Sequence, residues 1–360
     1  MSVEENSTME LKLSPLDFWL TDAFKNLQST FHQKKFPHGL LINGASGFGQ
    51  LKLANALAAS LLCENTFESE FMKPDSVASS EFDDRLSEAC GKCKSCLLLK
   101  ANTHPDFNLV ERLIEKGKLK QNISINQIRE LSQKLLQTSQ LQGWRIAIIN
   151  SVEHMNIASF NALLKTLEEP GQGTLMILIS NGLGKVPATI KSRTQVLNLS
   201  ANKDKSLHWL NQHLSENSSS VSNEQVNSAL ENCYGAPYAS LNFIQAGLQN
   251  LYYEYFKDLD AVLSNQLTVN DVLVKYKEHM INITGWTANY FHHVSKCLVQ
   301  TTSPQYKQVS QIKVSSIYDK LVTLNRAQTS GSNLQLNLQL EAILIHWFEL
   351  GRKIVHYSNR

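Results

Sequence analysis

The sequence predicts an α/β domain built on a parallel sheet, followed by two helical domains. Two observations lead to this fold class. Through about residue 200, short apolar runs typical of buried strands alternate with segments whose apolar residues repeat at helical spacing. After Ser200 the strand-like runs stop, and the sequence becomes polar and helix-forming. Because 360 residues exceed the length that one core usually serves, we expect three domains, residues 1–200, 201–249 and 250–360.

Five apolar runs are the predicted strands of the sheet. They are Leu40–Asn43, Phe107–Val110, Arg145–Asn150, Leu175–Ser180 and Gln195–Leu199. Three amphipathic helices are predicted between them, Leu51–Cys63, Ser124–Ser139 and Asn156–Glu169, and Pro170 ends the third. This alternation is typical of a nucleotide-binding α/β topology.

The residues after the first strand have the layout of a phosphate-binding loop. Gly44, Gly47 and Gly49 lie between a predicted strand and a predicted helix, where the backbone N–H groups of such loops surround phosphates. The lysine position holds Gln50, and the position of the hydroxyl that binds Mg²⁺ holds Leu51. Since both missing groups serve phosphoryl transfer, we expect this degenerate loop neither to hydrolyse ATP nor to bind it well.

The acidic half of such a site is also missing. The strand that should end in acidic Mg²⁺ ligands ends in Asn150 and Ser151. An amide lacks the negative charge that divalent cations prefer in their ligands. Glu153 is a substitute ligand, so an active ATPase with unorthodox metal ligands stays an alternative.

Four cysteines are the predicted ligands of a structural zinc ion. They are Cys63, Cys90, Cys93 and Cys96. Three of them stand at i, i+3 and i+6 around Gly91, and four thiolates close a tetrahedral site without leaving a position for water. The alternatives are free surface cysteines or an iron–sulfur cluster, although the x₃-C-P continuation of the ferredoxin pattern is absent. The cysteines delimit an insertion of about residues 63–100.

Charge and hydropathy restrict the remaining function classes. A net charge of +2 gives no general electrostatic footprint for nucleic acid, which disfavours the alternative of a zinc-dependent DNA-binding protein. The first residues are acidic and polar, unlike a signal peptide, and no apolar run reaches the roughly 18 residues of a membrane span. We therefore expect a cytoplasmic protein.

Three segments carry a family resemblance. Ser159–Pro170, Ile177–Asn181 and Pro187–Thr194 strongly resemble the clamp-loader ATPases of bacterial replication. The degenerate loop and missing acidic pair narrow this to the delta-prime subunits of the DNA polymerase III clamp loader, which do not hydrolyse ATP. The resemblance implies a phosphate-loop ATPase-type domain with an inserted zinc knuckle, a small helical lid and an all-α collar through which subunits form a ring.

The resemblance also implies one active residue. Ser192 and Arg193 match the first two residues of the family's Ser-Arg-Cys motif, and Thr194 replaces the cysteine. In the family this arginine reaches the γ-phosphate held by a neighbouring subunit, where a permanently charged guanidinium can form two parallel hydrogen bonds. The residues alone leave open the alternative that Arg193 only pairs with a carboxylate or caps the loop. Gly235–Ala239, where a second sensor arginine is expected, contains none.

Partners follow from the same resemblance. It implies an assembly with the catalytic gamma/tau subunits and the delta subunit, within the DNA polymerase III holoenzyme. Through that assembly the chain would act on the β sliding clamp and primed DNA. We expect zinc as the cofactor of this chain. We also expect the chain to have no ATPase activity of its own.

Overall fold

The computed structural model describes residues 15–33, 35–65, 89–115, 117–141, 143–215, 221–301, 316–321, 323–324 and 336–358. The chain forms two compact units. The sheet unit runs to His213 and also includes Cys233–Ala239, and the helical unit contains Leu214–Asn232 and the residues from Ser240 onward. Most of the predicted insertion between Cys63 and Cys90 lies outside the described residues.

A parallel sheet forms the centre of the sheet unit. Its strands are β1 (Gly39–Asn43), β2 (Phe107–Val110), β5 (Arg145–Ile149), β6 (Thr174–Ser180) and β7 (Gln195–Asn198). They lie in the order β2-β5-β6-β1-β7, and Leu41 of β1 pairs with Leu178 of β6 and Val196 of β7. A short antiparallel hairpin, β3 (Ile114–Glu115) and β4 (Lys118–Leu119), stands apart. The five predicted strands and the α/β fold class are confirmed.

α-Helices pack on both faces of this sheet. They are α1 (Phe18–His32), α2 (Gln50–Leu62), α3 (Lys94–Lys100), α4 (Ile125–Leu136), α5 (Ile157–Glu168), α6 (Ala188–Lys191) and α7 (Lys203–Ser215). A capping box of Ser124 and Gln127 begins α4, which ends three residues before the predicted Ser139. The prediction missed α1.

The core has two layers, one on each face of the sheet. Successive side chains of a strand point to opposite faces, so Leu40 and Ile42 pack towards α1 and α2 while Leu41 packs towards α4 and α5. The central strands β1, β5 and β6 are buried almost throughout. Burial on both faces explains why these strands read as continuous apolar runs in the sequence.

The helical unit has an aromatic core. Its longer helices are Leu248–Leu263, Met280–Thr301 and Leu336–Ser358. Tyr255 is fully buried, and its hydroxyl lies 2.6 Å from Oγ1 of Thr287. The division into a lid of residues 201–249 and a collar of residues 250–360 stays a prediction. Within the described ranges, no helix combines the length and the hydropathy that crossing a membrane requires.

Candidate functional site

The glycine loop lies at the carboxyl end of β1, which is an interior strand of the sheet. It connects β1 to α2, and Gln50 is the first residue of that helix. Ligands of open α/β sheets bind at the carboxyl ends of the strands, so the predicted loop stands where a nucleotide site belongs. Gly47 and Gly49 have φ angles of +91° and +82°, which other residues rarely adopt.

The segment around Tyr238 packs directly on this loop. A Cβ atom on Gly47 would lie 2.4 Å from Cβ of Ala239, and one on Gly49 would lie 2.7 Å from the ring of Tyr238. The backbone N–H of Tyr238 donates to the carbonyl of Gly47 at 3.1 Å, and the indole N–H of Trp19 donates to that of Phe48 at 2.8 Å. On this side the loop is in contact with protein rather than open to a ligand.

The side chain at the lysine position turns back onto the loop. Gln50 is 5% exposed, and its Nε2 donates to the carbonyls of Gly44 at 2.8 Å and Ala45 at 3.0 Å. The same Nε2 lies 3.3 Å from Oδ1 of Asn181 at the end of β6. A neutral amide therefore bonds to carbonyl oxygens where an active relative needs an ammonium group for phosphate.

The polar residues at the ends of β5 and β6 are also engaged within the chain. Nδ2 of Asn150 donates to the carboxylate of Glu111 at 2.7 Å. Glu153, the substitute metal ligand of the active-ATPase alternative, accepts a bond from Nδ2 of Asn181 at 2.8 Å. Glu153, Asn181 and Gln50 thus form one hydrogen-bonded row across the carboxyl ends of the strands.

Asp17 forms a second polar centre beside the loop. Its carboxylate accepts bonds from Nε1 of Trp209 at 2.9 Å and from the hydroxyl of Tyr238, and Nζ of Lys52 lies 3.0 Å away. Burial alone would raise the pKa of Asp17, but the bonds from Tyr238 and Lys52 bring that pKa below its ordinary value. This centre fastens α1, α2, α7 and the Tyr238 segment together.

The four predicted zinc ligands lie together. Their Sγ atoms are all within 4.8 Å of one another, with Cys63 and Cys93 at 3.9 Å and Cys90 and Cys96 at 4.0 Å. A tetrahedral site with Zn–S bonds of 2.3 Å requires sulfurs about 3.8 Å apart. The thiols therefore fit one tetrahedral ion, and such close spacing leaves too little room for a cluster of several irons.

The surroundings of Cys90, Cys96 and Cys63 shift the pKa values of these thiols in different directions. Bonds from the backbone N–H groups of Lys92 and Cys93 lower the pKa of Cys90 to about 6, which favours the thiolate that metals bind. Burial raises the pKa of Cys96 and of Cys63 instead. Cys63 and Cys96 would therefore lose their protons only when a cation binds, and the release of protons is general in metal binding by thiols.

A row of buried hydrogen bonds ties the cysteines to the sheet. The hydroxyl of Ser95 donates to the carbonyl of Leu62 at 2.5 Å and lies 2.7 Å from Nε2 of His104. Because Nδ1 of His104 accepts the backbone N–H of Asp106 at 3.1 Å, Nε2 carries the proton and donates to Ser95. Asp106 accepts the backbone N–H groups of Gln140 and Leu141 at 2.9 and 3.0 Å. Burial lowers the pKa of His104, which keeps the ring neutral.

Arg193 lies between α6 and β7 and is held by a carboxylate of its own chain. Nε and Nη2 approach Oε1 of Glu168 at 2.8 and 2.7 Å, and Nη1 donates to the carbonyl of Thr189 at 3.0 Å. The arginine side chain is 36% exposed. The pairing that the sequence left open is therefore present, on a guanidinium that a partner can still reach.

Arg193 stands at the opposite end of the sheet from the glycine loop. Its carbonyl oxygen lies 3.1 Å from the position of a Cβ on Gly39, the first residue of β1, whereas the loop follows the last residue of that strand. Five residues of a strand span about 16 Å, which is farther than an arginine side chain reaches. Arg193 cannot contact a phosphate in the loop of its own chain.

Comparison with known proteins identifies the family. A family model described as DNA polymerase III, delta subunit, matches residues 19–203, slightly more than half of the chain. The chain belongs to this family. Subunit delta' of Haemophilus influenzae is 32% identical over 230 residues, which cover 64% of this chain and 62% of that protein. Subunit delta' of Pseudomonas aeruginosa is 27% identical over 328 residues, covering 87% and 92%. The resemblance to delta-prime subunits is confirmed.

A gamma subunit-related protein of DNA polymerase III from Thermotoga maritima matches 92% of this chain and 100% of its own, with 16% identity and a TM-score of 0.43.

The sequence pointed to the loop, the cysteines and Arg193 as candidates but not to the residues that contact them. Asp17, Tyr238 and Trp209 lie far apart in the chain, and no local pattern joins them. Ser95 lies within the cysteine motif and His104 lies eight residues after it, but nothing in the sequence pattern shows that the two are buried hydrogen-bond partners. Glu168 is part of the motif that carried the resemblance, but its contact with Arg193 is visible only in three dimensions.

Proposed function

We propose that the chain is a non-catalytic subunit of a bacterial clamp loader, which helps to load the β sliding clamp onto primed DNA in the cytoplasm. In this role it braces the ring through its helical unit and offers Arg193 to the ATP site of a neighbouring gamma/tau subunit. The family assignment supports the clamp-loader context. Gamma/tau and delta subunits are the proposed partners within the DNA polymerase III holoenzyme.

The observation that carries this proposal is the separation of Arg193 from the chain's own loop. An exposed guanidinium at the far end of the sheet can serve only a phosphate brought by another chain. In phosphoryl transfer such an arginine stabilises the charge that develops on the γ-phosphate, and it contributes about 10³–10⁵-fold to kcat in the systems where it has been measured.

The state of the loop supports the non-catalytic part of the proposal. Gln50, Asn181 and Glu153 bond to one another or to the loop, and Tyr238 and Ala239 cover its outer side. The loop offers no ammonium group, so a triphosphate would meet little positive charge there. The nearby carboxylates of Glu111 and Glu153 are bonded to Asn150 and Asn181 rather than held ready for Mg²⁺. We assign the four thiols to structural zinc, which closes the insertion between Cys63 and Cys96.

The test is DNA-stimulated ATPase activity of a complex reconstituted with the catalytic subunits. We expect Arg193→Ala to lower kcat at least tenfold while the complex still assembles on size exclusion. Arg193→Lys is the matched variant, since it keeps the charge but loses the planar fork, and we expect it to stay close to the alanine variant. Unchanged turnover with Arg193→Ala would refute the role of this arginine.

A further inference from the structure

Glu168 holds the guanidinium of Arg193 in a fixed direction. One carboxylate oxygen takes both Nε and Nη2, at 2.8 and 2.7 Å, while the carbonyl of Thr189 takes Nη1 at 3.0 Å. These bonds fix the plane of the guanidinium from two sides, one from the end of α5 and one from α6. An arginine on a surface otherwise samples many rotamers, so this orientation is set before any partner arrives.

The bonds leave donors for a ligand. A guanidinium has five N–H groups, on Nε, Nη1 and Nη2. Glu168 takes the Nε–H and one N–H of Nη2, and Nη1 is directed to Thr189 and, at 3.4 Å, to Oγ of Ser192. A second N–H on Nη2 remains, and the arginine side chain is 36% exposed. An oxyanion can therefore approach without displacing Glu168.

We propose that Glu168 is a positioning residue, which orients Arg193 for the γ-phosphate of a neighbouring subunit. The proposal rests on the function proposed for Arg193 above. A catalytic group held in the productive direction beforehand loses less freedom when the complex forms, and a small misplacement lowers the rate even when binding persists. Glu168 thus acts through Arg193 and touches no substrate itself.

The experiment is a double-mutant cycle in the reconstituted complex, with DNA-stimulated ATPase as the readout. Glu168→Gln removes the charge but keeps the shape of the side chain. Because exposed ion pairs have small coupling energies, we expect kcat to fall about two- to fivefold, with the KM for ATP unchanged. In the Arg193→Ala background, Glu168→Gln should have no further effect on kcat.

Glu169→Gln is the matched control. It changes the same charge at the adjacent, exposed position, and we expect wild-type kcat. If Glu168→Gln leaves kcat unchanged or raises it while Arg193→Ala lowers it, the positioning role is wrong and the function of Arg193 stands. An equal loss from Glu168→Gln with and without Arg193 also overturns the positioning role. If Arg193→Ala itself has no effect, the proposed function fails first.

Discussion

Replacing Asp17 with alanine should destabilise the sheet unit, because one carboxylate serves three donors there. Trp209 and Tyr238 donate to it, and Lys52 forms an ion pair with it. The aspartate side chain is 17% exposed, so water can replace these bonds only in part. Asp17 precedes α1 but makes no capping bond with its side chain, and its loss therefore reports the tertiary contacts.

The size of the effect follows from the partners. A hydrogen bond to a charged group contributes about 1.5–3 kcal/mol, and a partly exposed ion pair adds about 0–1 kcal/mol. Since Lys52 can turn to solvent and the two other donors can recover some water, we expect a net loss of about 2–4 kcal/mol. Asp22→Ala, at an exposed position on α1, is the control and should change stability by less than about 0.5 kcal/mol.

The assay is urea unfolding followed by circular dichroism and by tryptophan fluorescence. Trp209 contacts the carboxylate directly, so its emission also reports the local change. The pKa of Asp17 in the folded protein is below the ordinary 3.8, so its contribution is complete at neutral pH and is lost as the pH falls through the lowered value. An Asp17→Ala variant as stable as Asp22→Ala would refute this reasoning.

Two further predictions concern the loop and the cysteines. Gln50→Lys combined with Leu51→Thr should not give saturable ATP binding in titration calorimetry of the isolated chain, because the outer side of the loop is covered; micromolar binding would contradict this. Cys93→Ser should lower the bound zinc, measured by atomic emission, from one per chain to a small fraction. Cys233→Ser, outside the cluster, should retain it; equal zinc in both variants would contradict the assignment.

The sequence was sufficient where the physical cause is local. Parallel strands buried on both faces produce continuous apolar runs, so all five strands were found. Cysteines spaced three residues apart converge through a single turn, and this predicted their cluster. Helix α1 was missed although Leu20, Phe24, Leu27 and Phe31 repeat at helical spacing and are buried. The sequence therefore contains a local signal for this helix.

Distant contacts account for the remaining differences. Helix α4 ends at Leu136, and the chain is extended at Gln137. Asp106 then accepts bonds from the hydroxyl of Ser139, the last residue of the predicted helix, and from the N–H groups of Gln140 and Leu141 that follow it. The spacing of apolar residues contains no sign of Asp106, which is 34 residues away from Gln140. Glu168 and Arg193 are likewise 25 residues apart and meet only through the packing of α5 on α6.

The bonds from Ser95 through His104 to Asp106 connect the cysteine cluster to β2, an edge strand of the sheet. Local opening of a protein proceeds in cooperative units, so loss of the zinc ion proposed above would loosen β2 as well as the cysteines. As an outer strand, β2 carries backbone groups that another chain could pair with. The proposed zinc ion would thereby help to hold β2 in the sheet and limit its pairing with another chain.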